Sequence, residues 1–324
     1  MENKPNRGGL LSGVTADRPA YSAMLLVGIL FVLALQDSLI KLTSGDVSLW
    51  QLQAVRASLI LGILTLVTRV FYGVSCPPPK RLWTVVLRST FLASTTFFFF
   101  GGVAVLPLAV MAGGLYVFPL FVALMSMIVL GERVGPRRIV AIVLGFCGCL
   151  MILKPGTEAF QPIALLPLGA AFCYAGQILV TRRLCRDESP ITLAYGVSVA
   201  NLMYGTLGLL LIPLFVGPEL AQSWPFIFAG WRVSMTSWTL TLIAIASVLN
   251  VAVHIGLARA YQSAEATWLV PFDYSYLVFA TFWGFIFWRH VPDVWTVSGM
   301  VLIAGSGIFV AWRERRTRIS EKSD

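Results

Sequence analysis

Long apolar stretches follow one another along almost the whole chain, and no other feature constrains the fold as strongly. Most stretches hold about 17 to 25 residues, and a helix of about 20 apolar residues crosses a hydrocarbon core roughly 30 Å thick. We predict ten spans, at residues 21–42, 50–70, 82–105, 108–130, 139–153, 163–182, 192–216, 238–259, 266–288 and 294–312. Because backbone groups cannot stay unpaired in lipid, these spans predict an all-α integral membrane protein.

The composition excludes an ordinary soluble domain. Of the 324 residues, 57% are hydrophobic and 12% are charged, whereas about a quarter of the residues in soluble domains are charged. The longest segment between spans, residues 217–237, carries Trp224, Phe226, Phe228 and Trp231. Aromatic residues of this kind are typical of the membrane interface, so we predict an interfacial loop there rather than a separate domain.

The positions of the charges indicate membrane topology rather than nucleic-acid binding. The net charge is +9, and basic residues concentrate at positions 4–18, 80–81, 133–138, 182–186 and 313–322. Since basic loops stay in the cytoplasm, both termini are predicted to be cytoplasmic. No basic and aromatic patch stands clear of the bilayer, so we expect no nucleic-acid partner.

The cysteine and histidine content predicts neither a disulfide framework nor a metal site. The cysteines lie within spans or on the predicted cytoplasmic side, at Cys76, Cys147, Cys149, Cys173 and Cys185, and the chain has only two histidines. Their spacing does not match that of zinc ligands. We therefore interpret the thiols as buried and inert, and we expect no cofactor.

A weak internal repeat divides the chain into two halves. Tyr116-Val-Phe-Pro119 in span four matches Leu269-Val-Pro271 in span nine, 152 residues later, and a Gly-rich last span closes each half. We predict a first repeat at 20–155 and a second at 162–312, with tails at 1–19 and 313–324. Because five spans is an odd number, the second repeat would be inverted in the membrane, as in many secondary transporters. Chance likeness between two Leu, Phe and Gly-rich helices is the alternative.

Several short motifs occur in a characteristic order along the ten spans. They are Leu106-Pro-Leu-Ala109, Leu130-Gly-Glu-Arg133, Val270-Pro-Phe-Asp-Tyr274 and Val291-Pro-Asp-Val-Trp-Thr-Val-Ser-Gly299. In this order the chain resembles an EamA-type member of the drug/metabolite transporter superfamily. The resemblance implies two inverted five-helix bundles that carry a small metabolite across the inner membrane by alternating access. One departure is visible, because Arg289-His290 stands where the family usually carries a Gly-Glu pair.

Charged residues at membrane depth are costly unless they are paired or wetted, and they therefore mark candidate functional positions. Asp37 and Lys41 share one face of span one, with Gln36 beside Asp37, and Arg56 lies about two turns inside span two. We expect Arg56 to pair with Asp37 or to open onto a cavity. An ion pair that merely fixes the first hairpin is an equal alternative.

Neutral polar side chains form stripes along three further spans. Span six carries Tyr174 and Gln177, span seven carries Asn201, and span eight carries Asn250 and His254. Such groups can hydrogen-bond a polar solute at a lower desolvation cost than a charge. They can equally join neighbouring helices. For Asn250 and His254 together, we favour a cavity wall.

Span nine carries the densest set of polar and aromatic candidates. Trp268, Asp273 and Tyr276 lie close to Pro271, with Glu265 nearer the cytoplasmic mouth. A helix interrupted at Pro271 would expose backbone carbonyls to a site in the middle of the membrane. Asp273 is the strongest candidate for contact with a cationic substrate or for carrying a proton. Tyr116 in span four completes the predicted substrate-binding set.

These features predict a secondary transporter that moves a small polar or amphipathic metabolite. The alternative is an integral-membrane enzyme that acts on a lipid or a lipid-linked substrate. Such an enzyme needs a catalytic constellation, and the chain has neither a His-Glu-x-x-His pair nor a Gly-x-Ser-x-Gly turn. The expected partners are the metabolite and the bilayer, and both a monomer and a homodimer remain open.

Overall fold

The computed structural model of the chain is helical. It describes residues 19–73, 78–130, 136–154, 162–185, 187–262 and 266–321, and within these ranges it contains no strand. This confirms the predicted all-α class. The helices are α1 (Pro19–Thr43), α2 (Leu49–Tyr72), α3 (Leu82–Val103), α4 (Leu108–Leu115), α5 (Phe118–Leu130), α6 (Pro136–Leu153), a short 3-10 helix (Pro162–Leu165), α7 (Leu166–Leu184), α8 (Pro190–Phe215), α9 (Pro218–Ser223), α10 (Pro225–Phe228), α11 (Ser237–Gln262), α12 (Ala266–Asp273), α13 (Ser275–Trp288) and α14 (Val294–Glu321).

Seven helical segments of the described ranges are long and apolar enough to cross a membrane. They are Ala20–Thr43, Leu49–Val70, Leu82–Val103, Leu108–Ile128, Pro162–Thr181, Pro190–Phe215 and Ser237–Leu257. Two shorter apolar helices, Ile142–Leu153 and Val294–Phe309, coincide with predicted spans five and ten. The chain is therefore a multi-pass membrane protein.

Predicted spans four and nine are each broken near their middle. Span four divides into α4 and α5 at Tyr116 and Val117, and span nine divides into α12 and α13 at Tyr274. Pro119 is the second residue of α5, where its missing N–H needs no partner inside the helix. The break in span nine was predicted at Pro271, and that position was wrong. Pro271 lies inside α12, and the chain leaves the helix three residues later.

The helices pack mainly as neighbours from opposite halves of the chain. The largest contacts join α1 to α11, α2 to α8, α3 to α7 and α6 to α14. Glycine permits the closest of these approaches, because a Cβ atom added to Gly148 would lie 2.8 Å from the carbonyl oxygen of Gly299. The backbones of α6 and α14 therefore touch directly at this point.

The predicted interfacial loop, residues 217–237, contains α9 and α10, reaches the first residue of α11 and is fixed to the start of α2. The indole Nε1 of Trp50 donates to the carbonyl oxygen of Ile227 at 2.7 Å. Nε2 of Gln51 donates to the carbonyl oxygen of Arg232 at 3.1 Å, and Oε1 of Gln51 accepts from the backbone N–H of Arg232 at 3.0 Å. The loop is thus held by hydrogen bonds to the helical bundle.

Candidate functional site

A chain of buried hydrogen bonds runs between α1, α11 and α13. Oδ2 of Asp37 accepts from the hydroxyl of Tyr276 at 2.6 Å, and Oδ1 accepts from Nε2 of Gln36 at 3.2 Å. The other end of the Gln36 amide, Oε1, accepts from Nδ2 of Asn250 at 3.2 Å. The structure therefore brings together Asp37, Asn250 and Tyr276, which were predicted on three different spans.

Arg56 lies close to this chain of hydrogen bonds but does not join it. Its side chain is 5% exposed, and its guanidinium lies 5.5 Å from the ring centre of Phe100. Asp37 is near enough to attract it electrostatically, yet among the described residues the two form no direct ion pair. A direct ion pair, whether for function or to fix the first hairpin, is therefore not formed, and Asp37 instead accepts from Tyr276 and Gln36. The other expectation, that Arg56 opens onto a cavity, stays a prediction.

Lys41, which shares a face with Asp37, also has another partner. Its Nζ donates to the carbonyl oxygen of Leu106 between α3 and α4. The same ammonium lies 5.1 Å from the ring centre of Trp288 at the end of α13. Lys41 therefore links the ends of α1, α3 and α13 instead of neutralising Asp37.

Three tyrosines join the breaks of spans four and nine. The rings of Tyr116 and Tyr276 stack with centroids 5.4 Å apart and an interplanar angle of 12°. Tyr274 lies against Tyr116 at 5.6 Å. This aromatic contact fixes the start of α13 against the end of α4.

His254 is exposed although it faces the interior of the bundle. At about 100° per residue, it points within about 40° of Ile243, Ser247 and Asn250, and the first two of these are fully buried. The exposed Ile245 and Val248 point about 120° to 180° away from it. The exposed surface of His254 therefore borders a space inside the protein and not the surface that Ile245 and Val248 form.

The remaining candidates have different surroundings. Tyr174 is half-buried, packs edge-on against Phe118 at 4.8 Å and is within electrostatic range of Asp273. Gln177 is buried, and its carbonyl oxygen accepts from Thr181. Oδ1 of Asn201 is buried without a hydrogen-bond partner. Glu265 and the side chain of Trp268 lie outside the described part of the chain.

Sequence reasoning missed Arg88, which lies seven residues into α3. Its Nε donates to Oγ1 of Thr181 at 3.0 Å, and its Nη1 donates to the carbonyl oxygen of Leu193 at 3.3 Å. It lies within electrostatic range of His254 and Tyr174. The signal was present, because a charge inside an apolar span marks a candidate position by itself.

The two ends of the bundle differ in packing. At one end, which we call the α4/α13 end, α4 packs against α13. At the opposite end, which we call the α5/α12 end, the described residues of α5 and α12 make no comparable contact. Asp37, Arg56 and Tyr116 lie toward the packed end, whereas Arg88 and His254 lie toward the unpacked end.

The membrane-spanning helices enclose a polar interior that charged and aromatic side chains border. This arrangement defines the class of the protein as a multi-pass membrane protein with a polar inner space. Residues 20–154 match the EamA-like transporter family. This match supports the predicted resemblance to EamA-type transporters over the first half of the chain.

Similar proteins include two curated transporters and one solved structure. A riboflavin transporter of Rhizobium johnstonii is 32% identical over 198 residues, which are 61% of this chain and 60% of that protein. An S-adenosylmethionine uptake transporter of Rickettsia prowazekii is 24% identical over 258 residues, 78% of this chain and 79% of that protein. The matched part thus spans less than two thirds of the first relative.

The solved structure is described only as "Crystal structure of protein". It has a TM-score of 0.57 and 20% sequence identity, and the match covers 94% of this chain and 99% of that one. At this identity the likeness supports the fold alone.

Proposed function

We propose that this protein is a secondary transporter that moves a small polar or amphipathic metabolite across the inner membrane by alternating access. The observation that carries the proposal is the polar interior, which reaches from the buried Asp37 and Arg56 to the exposed His254. Burial of charged groups among apolar helices is costly unless they are paired or wetted, and it marks a functional site by default. The relatives named as riboflavin and S-adenosylmethionine transporters support a small organic cargo.

The helix contacts support two inverted five-helix repeats. Suppose that a two-fold axis relates α1 to α7, α3 to α11 and α5 to α13. The axis then maps the contact between α1 and α11 onto the contact between α7 and α3. The axis likewise maps the contact between α5 and α7 onto the contact between α13 and α1. All four of these helix contacts occur in the structure. The same axis maps the contact between α2 and α8 onto itself, and it does the same for the contact between α6 and α14. A two-fold axis in the membrane plane accounts for this pattern.

The largest contact without a symmetric counterpart supports alternating access. The same correspondence exchanges the packed pair α4 and α13 with the pair α12 and α5, which are not packed to a comparable extent over their described residues. The protein is then closed at the α4/α13 end and open at the α5/α12 end. A transporter with inverted repeats reaches its other state when the two halves exchange conformations, so that α5 and α12 close while α4 and α13 separate.

The charge pattern orients this arrangement in the membrane. Basic residues at 133–138 follow α5 in sequence, and the tails before α1 and after the apolar part of α14 are also basic. By the positive-inside rule the α5/α12 end faces the cytoplasm and both termini lie there. The protein described here would therefore be open to the cytoplasm.

Uptake by reconstituted vesicles tests the function directly. Purified protein in liposomes is mixed with radiolabelled riboflavin, radiolabelled S-adenosylmethionine or a water-soluble extract of bacterial cells, and accumulation is compared with that in protein-free liposomes. We expect at least one compound to accumulate and to exchange with the same compound inside. Failure of every compound to exceed protein-free liposomes would contradict the proposal.

A further inference from the structure

We propose that Arg56 binds an acceptor group of the transported molecule, so that the cargo presents a carboxylate or a pair of carbonyl oxygens on one edge. The inference rests on the proposed transport function and names the chemical class of its substrate. It depends on two buried hydrogen-bond donors that the protein itself leaves without partners.

Both donors lie on one turn of α2. Nε of Arg56 and Nε2 of Gln53 have no hydrogen-bond partner, although the two side chains are only 5% and 1% exposed. Residues three apart on a helix are neighbours on its surface. Buried donors without partners are rare because burial removes their hydrogen bonds to water. Two such groups lie side by side here, and both are hydrogen-bond donors. Together they indicate a binding place for a hydrogen-bond acceptor.

The surroundings of Arg56 leave the edge of its guanidinium available. Phe100 lies against the group, with the guanidinium carbon 5.5 Å from the ring centre. Asp37 attracts the charge from nearby, but its two oxygens accept from Tyr276 and Gln36. A planar guanidinium with free N–H groups matches two oxygens in one plane. A carboxylate has this arrangement, whereas the two oxygens of an imide, separated by its N–H, would accept from Arg56 and Gln53 separately.

Arg56 is also within reach of a molecule that enters from the open end. It lies within electrostatic range of His254, whose exposed surface faces the interior of the bundle. Arg88 acts on the same histidine from α3. Two permanent cations within electrostatic range of one histidine raise the local concentration of groups that carry negative charge. The acceptor edge of the cargo would therefore point toward the packed α4/α13 end, where Arg56 and Gln53 are buried.

The test uses the full chain in liposomes and three variants. Arg56→Gln removes the charge, Arg56→Lys keeps the charge without the planar donors, and Arg69→Gln is the matched control. Arg69 lies on the same helix and is exposed in its last turn. Uptake is measured from a water-soluble extract of bacterial cells, with mass spectrometry of the accumulated compounds. S-Adenosylmethionine and its decarboxylated derivative are compared as competitors.

We expect the compounds accumulated by the wild type to carry a carboxylate or an imide edge. Arg56→Gln should lower their uptake by about tenfold or more, which corresponds to about 1.4 kcal/mol. Arg56→Lys should raise KM more than it lowers the maximal rate, and Arg69→Gln should leave both unchanged. The decarboxylated competitor should inhibit about tenfold less well than S-adenosylmethionine, because it lacks the carboxylate.

The outcomes separate this inference from the function on which it rests. Wild-type accumulation of compounds without such an edge, or equal uptake by wild type and a folded Arg56→Gln protein, overturns the inference and leaves transport intact. If no compound accumulates with the wild type, transport and the inference fall together. Should Arg56→Gln not fold, the chemistry of the compounds accumulated by the wild type and the competition between the two analogues decide the question.

Discussion

The contact between α6 and α14 provides a sharp test of the packing. A Cβ atom on Gly148 would lie 2.8 Å from the carbonyl oxygen of Gly299 and 3.2 Å from the backbone N of Ile303. A Cβ atom on Gly299 would lie 2.5 Å from the carbonyl oxygen of Gly148. Ordinary contacts begin at 3.4 Å. Alanine at either position therefore forces the helices apart by about 0.6 to 0.9 Å, because backbone atoms cannot rotate away as a flexible side chain can.

We expect Gly148→Ala and Gly299→Ala to lower the free energy of unfolding by about 1 to 3 kcal/mol through overpacking. Gly305→Ala is the matched control, since it lies on α14 and a Cβ atom there meets nothing within 4 Å. That change should be neutral or stabilising by up to about 1 kcal/mol, because alanine favours the helix. Thermal unfolding of the purified proteins in detergent measures all three. Equal stability of the three variants would refute the close approach of α6 and α14.

Two further predictions concern single hydrogen-bonded groups. Tyr276→Phe removes the 2.6 Å bond to Asp37 and should lower vesicle uptake by about tenfold, whereas Tyr274→Phe, which also packs on Tyr116, should have little effect; equal uptake by both variants would argue against a role for the Asp37 bond. Hydrogen bonds from Lys154 and Thr296 lower the pKa of Asp293 to about 2, from an ordinary value of 3.8. The stabilisation is therefore present at neutral pH and is lost as the pH falls through 3.8 toward 2. Asp293→Asn should lower the free energy of unfolding by about 0.2 to 1 kcal/mol at pH 7. The difference in melting temperature between wild type and variant should disappear in acid. A difference that persists in acid would contradict this assignment.

The positions of the helices could be predicted from the sequence because lipid imposes a length and a composition on every span. Predicted span five begins at 139 and α6 begins at Pro136, which is the level of agreement that hydropathy allows. The break in span nine was harder to predict. Proline removes one backbone donor, but the neighbouring turns of α12 remain helical up to Asp273, so Pro271 alone does not fix where the helix ends.

The partners of the site residues could not be predicted from the sequence. Helical spacing indicates which side chains share a face of one helix, and it correctly set Asp37 apart as a polar residue in an apolar span. It does not tell which helix lies opposite. Tyr276, the partner of Asp37, is 239 residues away in the chain, and Arg88 meets Thr181 across α3 and α7. Both pairings depend on tertiary packing.

The proposed alternating access would divide the contacts near the site into two classes. Asp37 and Tyr276 belong to helices α1 and α13, which pack together, and the same holds for Gln36 on α1 and Asn250 on α11. Such contacts should persist in both states. The stacking of Tyr116 on Tyr276 instead joins α4 to α13 across the closed end, so it must break when that end opens.

Paired cysteines can separate these two classes. In a chain whose native cysteines are replaced by alanine, Tyr116→Cys with Tyr276→Cys should abolish exchange after treatment with a short bifunctional thiol reagent, because the link holds the α4/α13 end closed. Gln36→Cys with Asn250→Cys is the comparison pair. Linking these two cysteines should leave the treated protein as active as the untreated protein, since α1 and α11 move together. Each pair is compared with itself before treatment, which removes the effect of the substitutions. Continued exchange with the first pair linked would mean that α4 and α13 do not separate during transport.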